Sequence, residues 1–295
     1  MKLSMIDIDQ KPELVVQTEN GWLKLTSYFA EVEQVADFTM ESLFDSKVYK
    51  GLQFLLESDL TEIDSRFWLD GIDNLSFYPP VRRPNKILAV GLNYRNHITE
   101  TKMDQPKVPE IFAKLSNSLN SHKSPIIVPD KDLEYDYEGE LVIVIGKETK
   151  HLSPEQASQA IFGYTIGNDF SSRKLQLQTS QWILGKSLDG SAPIGPNLVT
   201  RDQLDLSQTH LSTKINGRIV QEALLTDMLF SPQEIVSYLS QYLTLEPGDL
   251  IFTGTPAGVI MGHNLNQLDW LKQDDSITIT IDGIGTLENT LTYEK

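Results

Sequence analysis

An acidic stretch that runs directly into an apolar one constrains the fold most. Residues 136–140, Asp-Tyr-Glu-Gly-Glu, precede Leu-Val-Ile-Val-Ile, a run typical of a buried strand. Because side chains alternate along a strand, Asp136, Glu138 and Glu140 are expected on one face, and Gly139 allows close backbone approach. Buried carboxylates need a cation between them, whereas carboxylates on an exposed strand edge do not. The pattern alone leaves both interpretations open.

The chain beyond residue 86 is rich in strand-forming segments. Apolar or alternating runs predict strands over 87–92, 140–145, 163–168, 211–216, 250–253, 277–282 and 286–293. Two Ser-Pro pairs followed by Gln or Glu, at Ser153 and Ser231, predict helices that begin with capping boxes. Many strands and few helices indicate a mainly β (α+β) fold with largely antiparallel pairing.

The N-terminal part is predicted to be a small accessory α/β domain, residues 1–77. It contains a hairpin around the turn pair Asn20-Gly21 and apolar residues at helical spacing over 40–56. Three prolines mark residues 78–85 as a linker, since proline continues neither a helix nor a central strand. Residues 86–295 would then form the catalytic domain.

Composition excludes several classes of function. Lys and Arg total 25 against 41 Asp and Glu, a formal charge of −16, which argues against nucleic-acid and membrane-surface partners. An anionic substrate therefore requires a local cluster of cations or a metal. The absence of cysteine excludes disulfides and thiolate sites. Without a signal-like segment or an apolar run of membrane length, the expected location is the cytoplasm.

Two further patterns indicate catalytic chemistry. Asp169 ends the apolar run 163–168, and as a third carboxylate it would complete an oxygen ligand set for Mg²⁺, Mn²⁺ or Ca²⁺. Alone, an Asp after a strand is more often a turn residue. His97 and Glu100 are neighbours on a helical turn, where Glu can orient the imidazole as a general base, although a surface pair has the same spacing. The other four histidines are interpreted as surface or structural residues.

These segments jointly resemble the fumarylacetoacetate hydrolase family, in its larger bacterial form with a small N-terminal domain. The resemblance covers about two-thirds of the chain, from about residue 86 to 289. Its pieces are Gly-x-Asn-Tyr…His-x-x-Glu (91–100), Phe-Ala-Lys (112–114), Asp-Tyr-Glu-Gly-Glu-Leu (136–141), Gly-Tyr-Thr…Asn-Asp (163–169), Gln-Trp…Gly-Lys-Ser (181–187), Gly-Thr-Pro-Ala-Gly-Val (254–259) and Ile-Gly-Thr-Leu (284–287). Each piece is weak alone, but their order and spacing together are specific.

The resemblance implies a flattened, largely β fold and assigns roles to ten residues. Mg²⁺ or Mn²⁺, with Ca²⁺ as a substitute in a crystal, would be held by Glu138, Glu140 and Asp169. Catalysis would use His97 and Glu100, on a mobile short helix that activates water, and Lys186. Substrate contacts would come from Lys114, Arg173, Gln176 and Thr255. The resemblance also implies a homodimer. The strand over 211–216 would leave a sheet edge for a partner to cover, and the apolar run Met-Leu-Phe at 228–230 is a candidate contact, although a core role fits it equally well.

The implied activity is cleavage of a C–C bond in a small 2-oxo or 2,4-diketo acid of the acylpyruvate type, or decarboxylation of oxaloacetate, through an enolate. An isomerase of hydroxymuconate-type dioates is an alternative. A non-catalytic binding or regulatory protein is an alternative of another class, against which the intact set of candidate residues counts. Lys174 departs from the family pattern, where Asp commonly follows the arginine, and this departure leaves substrate choice and one contact behind the site open.

Overall fold

The computed structural model describes residues 1–101, 104–263 and 269–294. Its strands are β1 Lys2–Ile8, β2 Lys11–Thr18, β3 Gly21–Lys24, β4 Trp68–Leu69, β5 Ile87–Gly91, β6 Glu110–Lys114, β7 Leu119–Ser121, β8 Ile126–Val128, β9 Tyr135–Asp136, β10 Gly139–Ile145, β11 Ile161–Asn168, β12 Ser171–Ser172, β13 Ala192–Thr200, β14 His210–Ile215, β15 Arg218–Leu224, β16 Leu250–Phe252, β17 Ser276–Ile281 and β18 Gly285–Tyr293. Its α-helices are α1 Leu25–Glu31, α2 Ser46–Glu57, α3 Arg95–Thr101, α4 Pro154–Ala157, α5 Arg173–Gln176, α6 Ile183–Lys186 and α7 Pro232–Tyr242. Within these ranges no helix is long and apolar enough to cross a membrane.

Two sheets make up most of the molecule. The larger has the strand order β4-β3-β2-β1-β13-β11-β10-β16-β5-β6, and β7 joins it beside β13. The smaller has the order β15-β14-β17-β18-β8. Most pairs are antiparallel, as predicted, with parallel exceptions that include β5 with β16.

The seven predicted strands are all present, with ends within two residues of the predicted ones. Both capping boxes also form: Ser153 opens the short helix α4 and Ser231 opens α7. Strand β10 is buried along its whole length because a separate apolar core covers each face of the larger sheet at this point. Burial on both faces explains why its sequence is continuously apolar rather than alternating.

The N-terminal segment continues the larger sheet. Strand β1 pairs antiparallel with β13, Leu3 opposite Leu198, and β2 to β4 follow outward. Its apolar side chains share one core with those of β5, β10 and β16, and Val81 of the proline-rich segment is buried there too. Residues 1–77 are therefore joined to the rest by hydrogen bonds and by a common core. The division into an accessory and a catalytic domain remains a prediction.

Strand direction brings distant segments to one place. The start of β10 lies beside the end of β11, Gly139 opposite Asn168. Strand β16 runs antiparallel to β10, so residues 253–255 emerge on the same side. Strand β5 is parallel to β16, and its end leads into α3. Four chain segments that carry predicted site residues thus converge.

Candidate active site and metal centre

The three predicted metal ligands converge at the start of β10. Glu138 and Glu140 flank Gly139, while Asp169 follows the last residue of β11. Ligand oxygens of the three carboxylates all lie within 4.8 Å of one another, and all three residues are buried. The Asp169 N–H donates to the Glu138 carbonyl oxygen at 2.9 Å, which extends the β10–β11 pairing to the ligands themselves. Of the two interpretations of the acidic segment, buried carboxylates or an exposed strand edge, the structure has the buried one.

The close packing of the smaller sheet against β10 requires a glycine at position 139. A Cβ on Gly139 would lie 2.3 Å from Oγ1 of Thr213 on β14 and 3.1 Å from Cγ2 of Ile279 on β17. Such distances are far inside van der Waals contact. The glycine therefore lets the two sheets meet directly between two metal ligands.

Two of the carboxylates are held by cationic side chains. Lys186 Nζ lies 2.7 Å from Glu138 Oε2 and 2.7 Å from Asp169 Oδ2. Arg173 Nη2 lies 2.6 Å from Glu138 Oε1, and Lys114 Nζ lies 2.6 Å from Asp169 Oδ1. Burial alone would raise the pKa of Glu138, but the Lys186 ammonium and the Arg173 guanidinium outweigh it and lower that pKa to about 2. Glu138 is therefore an anion at neutral pH.

Glu140 has a different environment. Its Oε2 accepts the Gly254 N–H at 2.7 Å, and no cationic side chain among the described residues forms an ion pair with it. Burial, and then the charges of Asp169 and Glu138, raise the pKa of Glu140 well above its usual range. A divalent cation would relieve this repulsion, and three carboxylates are the ligand type that Mg²⁺ and Mn²⁺ prefer. The residues present therefore fit such a metal.

A small cavity of about 100 Å³ opens onto this cluster. One side of its wall is apolar and includes Leu92, Phe112, Leu177 and Trp182. The Phe112 and Trp182 rings meet edge to face, with centroids 5.4 Å apart. The polar side consists of seven of the ten predicted residues: His97, Glu138, Glu140, Arg173, Gln176, Lys186 and Thr255.

The predicted general base, His97, lies in the wall of the cavity with Glu100 beside it. His97, on α3, is 5% exposed, and its Nδ1 is 3.4 Å from Glu100 Oε2, longer than an ideal hydrogen bond. Both Glu100 oxygens accept the Gly258 N–H at 3.1 Å. A Cβ on Gly262 would lie 2.3 Å from Glu100 Cδ, so this carboxyl is held tightly against the 258–262 turn. The structure thus brings the two residues together and holds Glu100 against the 258–262 turn.

Two predicted substrate contacts have other partners. Lys114 lies behind Asp169 and is not part of the cavity wall; its ammonium also donates to the carbonyl oxygens of Phe170 and Lys186. Gln176 does line the cavity, and its Oε1 accepts a hydrogen bond from Arg173 Nη1 at 2.9 Å. Lys114 is therefore placed to orient a metal ligand, and Gln176 to orient Arg173.

Asp136 is a residue of this site for which no role was predicted. It is completely buried, and its Oδ2 accepts from Arg173 Nε at 2.9 Å. The backbone N–H groups of Ile260 and Met261 donate to the same carboxylate at 2.9 and 3.1 Å. Asp136 thus ties the arginine to the turn that also binds Glu100. Its place on the carboxylate face of the strand was the one signal available beforehand.

Comparison with known proteins gives matches along most of the chain. A family model described as fumarylacetoacetate (FAA) hydrolase C-terminal matches residues 86–292. The mitochondrial oxaloacetate tautomerase Fahd2a of Rattus norvegicus is 38% identical over 217 residues, which cover 73% of this chain and 69% of that protein. The crystal structure of a putative HpcE protein from Mycobacterium smegmatis has a TM-score of 0.84 at 30% identity and covers 100% of both chains. Maleylpyruvate hydrolase from Sphingobium sp. SYK-6, crystallised with manganese(II) and pyruvate, has a TM-score of 0.80 at 25% identity, again over 100% of both chains.

Proposed function

We propose a reaction for this site from one premise: the chain belongs to the fumarylacetoacetate hydrolase family. The family predicted from the motifs is thereby confirmed, as is the predicted flattened, mainly β fold. The relatives named above are a tautomerase of oxaloacetate and a hydrolase of maleylpyruvate, and both names denote small 2-oxo acids. The chain is accordingly an enzyme of this family.

We propose that the enzyme interconverts the keto and enol forms of oxaloacetate, or of a 2-oxo acid of similar size, with Mg²⁺ or Mn²⁺. The ion would be held by Glu138, Glu140 and Asp169. The observation that carries this proposal is one cavity whose wall includes Glu138, Glu140, two cationic side chains and a histidine, while Asp169 converges with the two glutamates. A volume of about 100 Å³ suits a small acid rather than a long one.

Charge is arranged to favour an enolate. When bound, a divalent cation supplies Lewis-acid polarisation of the 2-oxo group. Lys186 and Arg173 line the same cavity and contribute fixed positive charge where the oxo oxygen becomes negative. Both cations are held in place by Glu138, so little reorganisation is required during the reaction. They also provide the local positive charge that an acidic protein needs in order to bind an anion.

In this proposal, His97 is the residue that transfers the proton. Enolisation removes a proton from C3 of the substrate and places one on the 2-oxo oxygen. The His97 imidazole lies in the cavity wall, and histidine is the side chain that most often serves as a general acid or base. Glu100, beside Nδ1, would orient the ring and stabilise its protonated form.

Hydrolysis is the second candidate, favoured by the same His97–Glu100 pair, which is suited to activating water. Water would add to C4 of a 2,4-diketo acid, and the C3–C4 bond would break to give a carboxylic acid and the enolate of a 2-oxo acid. Protonation at C3 would complete the reaction. Decarboxylation of oxaloacetate and isomerisation of a hydroxymuconate-type dioate proceed through similar enolates or dienolates. The same residues therefore suit all four reactions, which differ in the bond that is broken and, except for the two reactions of oxaloacetate, in the substrate.

Substrate profiling with defined metals tests the proposal. The chelator-treated protein is assayed with no metal, with Mg²⁺ and with Mn²⁺. Oxaloacetate is monitored for loss of enol absorbance and for pyruvate, alongside an acylpyruvate and a hydroxymuconate analogue. Metal-dependent loss of enol without pyruvate is the expected result. Pyruvate formation, or cleavage of the acylpyruvate, would assign the second candidate instead. No turnover of any of them by the metal-loaded protein would contradict an enzyme acting on 2-oxo acids, and would favour a binding or regulatory role.

A cytoplasmic homodimer remains part of the proposal, although the fold bears on two details of the predicted contact. Strand β14, expected at a sheet edge, lies between β15 and β17, so β15 is the edge strand. Met228 is buried in the core, which is the second of the two roles predicted for it. Sedimentation at micromolar concentration checks the dimer, and a single species of 33.3 kDa would contradict it.

A further inference from the structure

Gln221 is a buried polar residue in a strand that is otherwise largely exposed. Strand β15 is the edge of the smaller sheet, yet Gln221 is 1% exposed and points toward β10 together with its cross-strand partner Thr213. The next residue, Glu222, is exposed on the opposite face. A buried amide in this position requires hydrogen-bond partners.

The Gln221 amide joins the ligand strand to the 254–258 turn. Its Oε1 accepts the Gly139 N–H at 3.1 Å. Its Nε2 donates to Thr255 Oγ1 at 2.8 Å and to the Pro256 carbonyl oxygen at 2.9 Å. The amide orientation follows from these partners, because a backbone N–H can only donate and a carbonyl oxygen can only accept.

This arrangement also sets the Thr255 hydroxyl. Since Nε2 donates to Oγ1, the hydroxyl hydrogen must point elsewhere, and the Gly139 carbonyl oxygen accepts it at 3.0 Å. Thr255 lines the cavity, and Gly139 lies between two carboxylates of the metal site. One neutral side chain thus contacts both the residue between the metal ligands and a residue of the substrate cavity.

We propose that Gln221 is a positioning residue that holds the 138–140 segment for the metal and Thr255 for the substrate. It touches neither directly. An uncharged amide can do this without adding to the repulsion among buried carboxylates, which a Glu in its place would increase. The part that concerns substrate rests on the proposed function, whereas the part that concerns metal does not.

Binding measurements test this without relying on turnover. Gln221→Met keeps the length of the side chain and removes all three hydrogen bonds, and Gln221→Asn, too short to span both segments, serves if the first variant fails to fold. Glu222→Gln on the exposed face of the same strand is the matched control. Mn²⁺ affinity is measured on each metal-free protein, and oxalate affinity on each Mn²⁺-loaded protein. Oxalate presents two adjacent oxygens much as the carboxylate and oxo groups of a 2-oxo acid do.

The expected result is a loss of about 10-fold or more in Mn²⁺ affinity for Gln221→Met, as for other residues that support metal ligands, with a further loss in oxalate affinity. If Gln221 acts on oxalate through Thr255, the effects of Gln221→Met and Thr255→Val will not add in the double variant. Lower thermal stability with both affinities equal to those of Glu222→Gln would reduce Gln221 to a structural residue and overturn the proposal. Failure of the wild-type protein to bind oxalate would count against the proposed function alone, since the Mn²⁺ comparison would still decide the role of Gln221.

Discussion

The two halves of the site are built differently. The proposed metal-binding half lies at strand ends, where Glu138 and Asp169 are joined through Lys186 and by a backbone hydrogen bond. The half that carries the base lies on α3, a seven-residue helix, where His97 and Glu100 are 3.4 Å apart. The first half is fixed by two sheets and several ion pairs, and the second by contacts that include those of Glu100 with the 258–262 turn.

This difference separates binding from proton transfer. Ligands on paired strands keep their geometry whether or not substrate is present, which suits a metal site. A base on a short helix can adjust when substrate enters and leaves. Changes in the first half should therefore affect metal affinity, and changes in the second should affect turnover at unchanged metal affinity. The following predictions test that separation, from the largest expected effect to the smallest.

Glu140→Gln should have the largest effect. It removes one of three anionic ligands while its side-chain oxygen can still accept the Gly254 N–H. We expect Mn²⁺ affinity to fall by at least about 100-fold, more than for a supporting residue, and activity to fall with it. The metal-free variant should melt at a higher temperature than the metal-free wild type, because the repulsion from Glu138 and Asp169 is relieved.

Calorimetry with Mn²⁺ and thermal melts with a chelator measure the two effects. Glu148→Gln, an exposed glutamate beyond the end of the same strand, is the control and should change neither. Equal Mn²⁺ affinity in Glu140→Gln and in the wild type would remove Glu140 from the metal site.

His97→Ala should lower kcat by about 100-fold or more, the usual contribution of a general base. Mn²⁺ affinity should stay within about threefold of the wild type, because His97 is not among the three carboxylates that converge. His210→Ala, at an exposed histidine of β14, is the control. The separation of the two halves fails if Mn²⁺ affinity falls as far as kcat, and His97 leaves the mechanism if kcat is unchanged.

Gly139→Ala should destabilise the metal-binding half by about 2 kcal/mol, since overpacking a filled core typically costs 1–3 kcal/mol. The new Cβ would lie 2.3 Å from Thr213 Oγ1, an atom without a hydrogen-bond partner among the described residues. Thr213→Ala should therefore cost little alone and restore part of the stability in the double variant. Denaturant unfolding measures both effects, and a double variant no more stable than Gly139→Ala would show that Thr213 is not the obstacle.

The sequence predicted the elements whose pattern reflects local burial. Strand β10 was recognisable from its apolar run, and the converging carboxylates from their places around it. Strand β13 was not predicted, because Pro193, Gly195 and Pro196 are atypical of a central strand, although it lies between β1 and β11. Its pairing with β1 joins residues almost two hundred positions apart, which no local pattern encodes.

The supporting residues of the site were harder to predict from the sequence for the same reason. Gln221 has three hydrogen-bond partners, Gly139, Thr255 and Pro256, that lie on two other segments of the chain, so a lone Gln in an edge strand carries no signal. The resemblance placed Lys114 in the substrate site, but its ammonium donates to Asp169 and does not line the cavity. Roles that depend on which side of a ligand a side chain lies on require three-dimensional coordinates.

Lys174→Asp should have the smallest effect, although it restores the residue that commonly follows the arginine in the family. Arg173 is buried in the site, whereas Lys174 is exposed on the other side of α5 and its ammonium donates to the Asp132 carbonyl oxygen at 3.0 Å. Solvent screens an exposed charge, so the stability of the protein should change by less than about 0.5 kcal/mol. We expect the ratio of kcat/KM for oxaloacetate to that for an acylpyruvate to change less than about twofold. A larger change in that ratio would mean that α5 transmits surface charge to Arg173. The metal-binding half would then be less rigid than its ion pairs indicate, and residue 174 would bear on substrate choice.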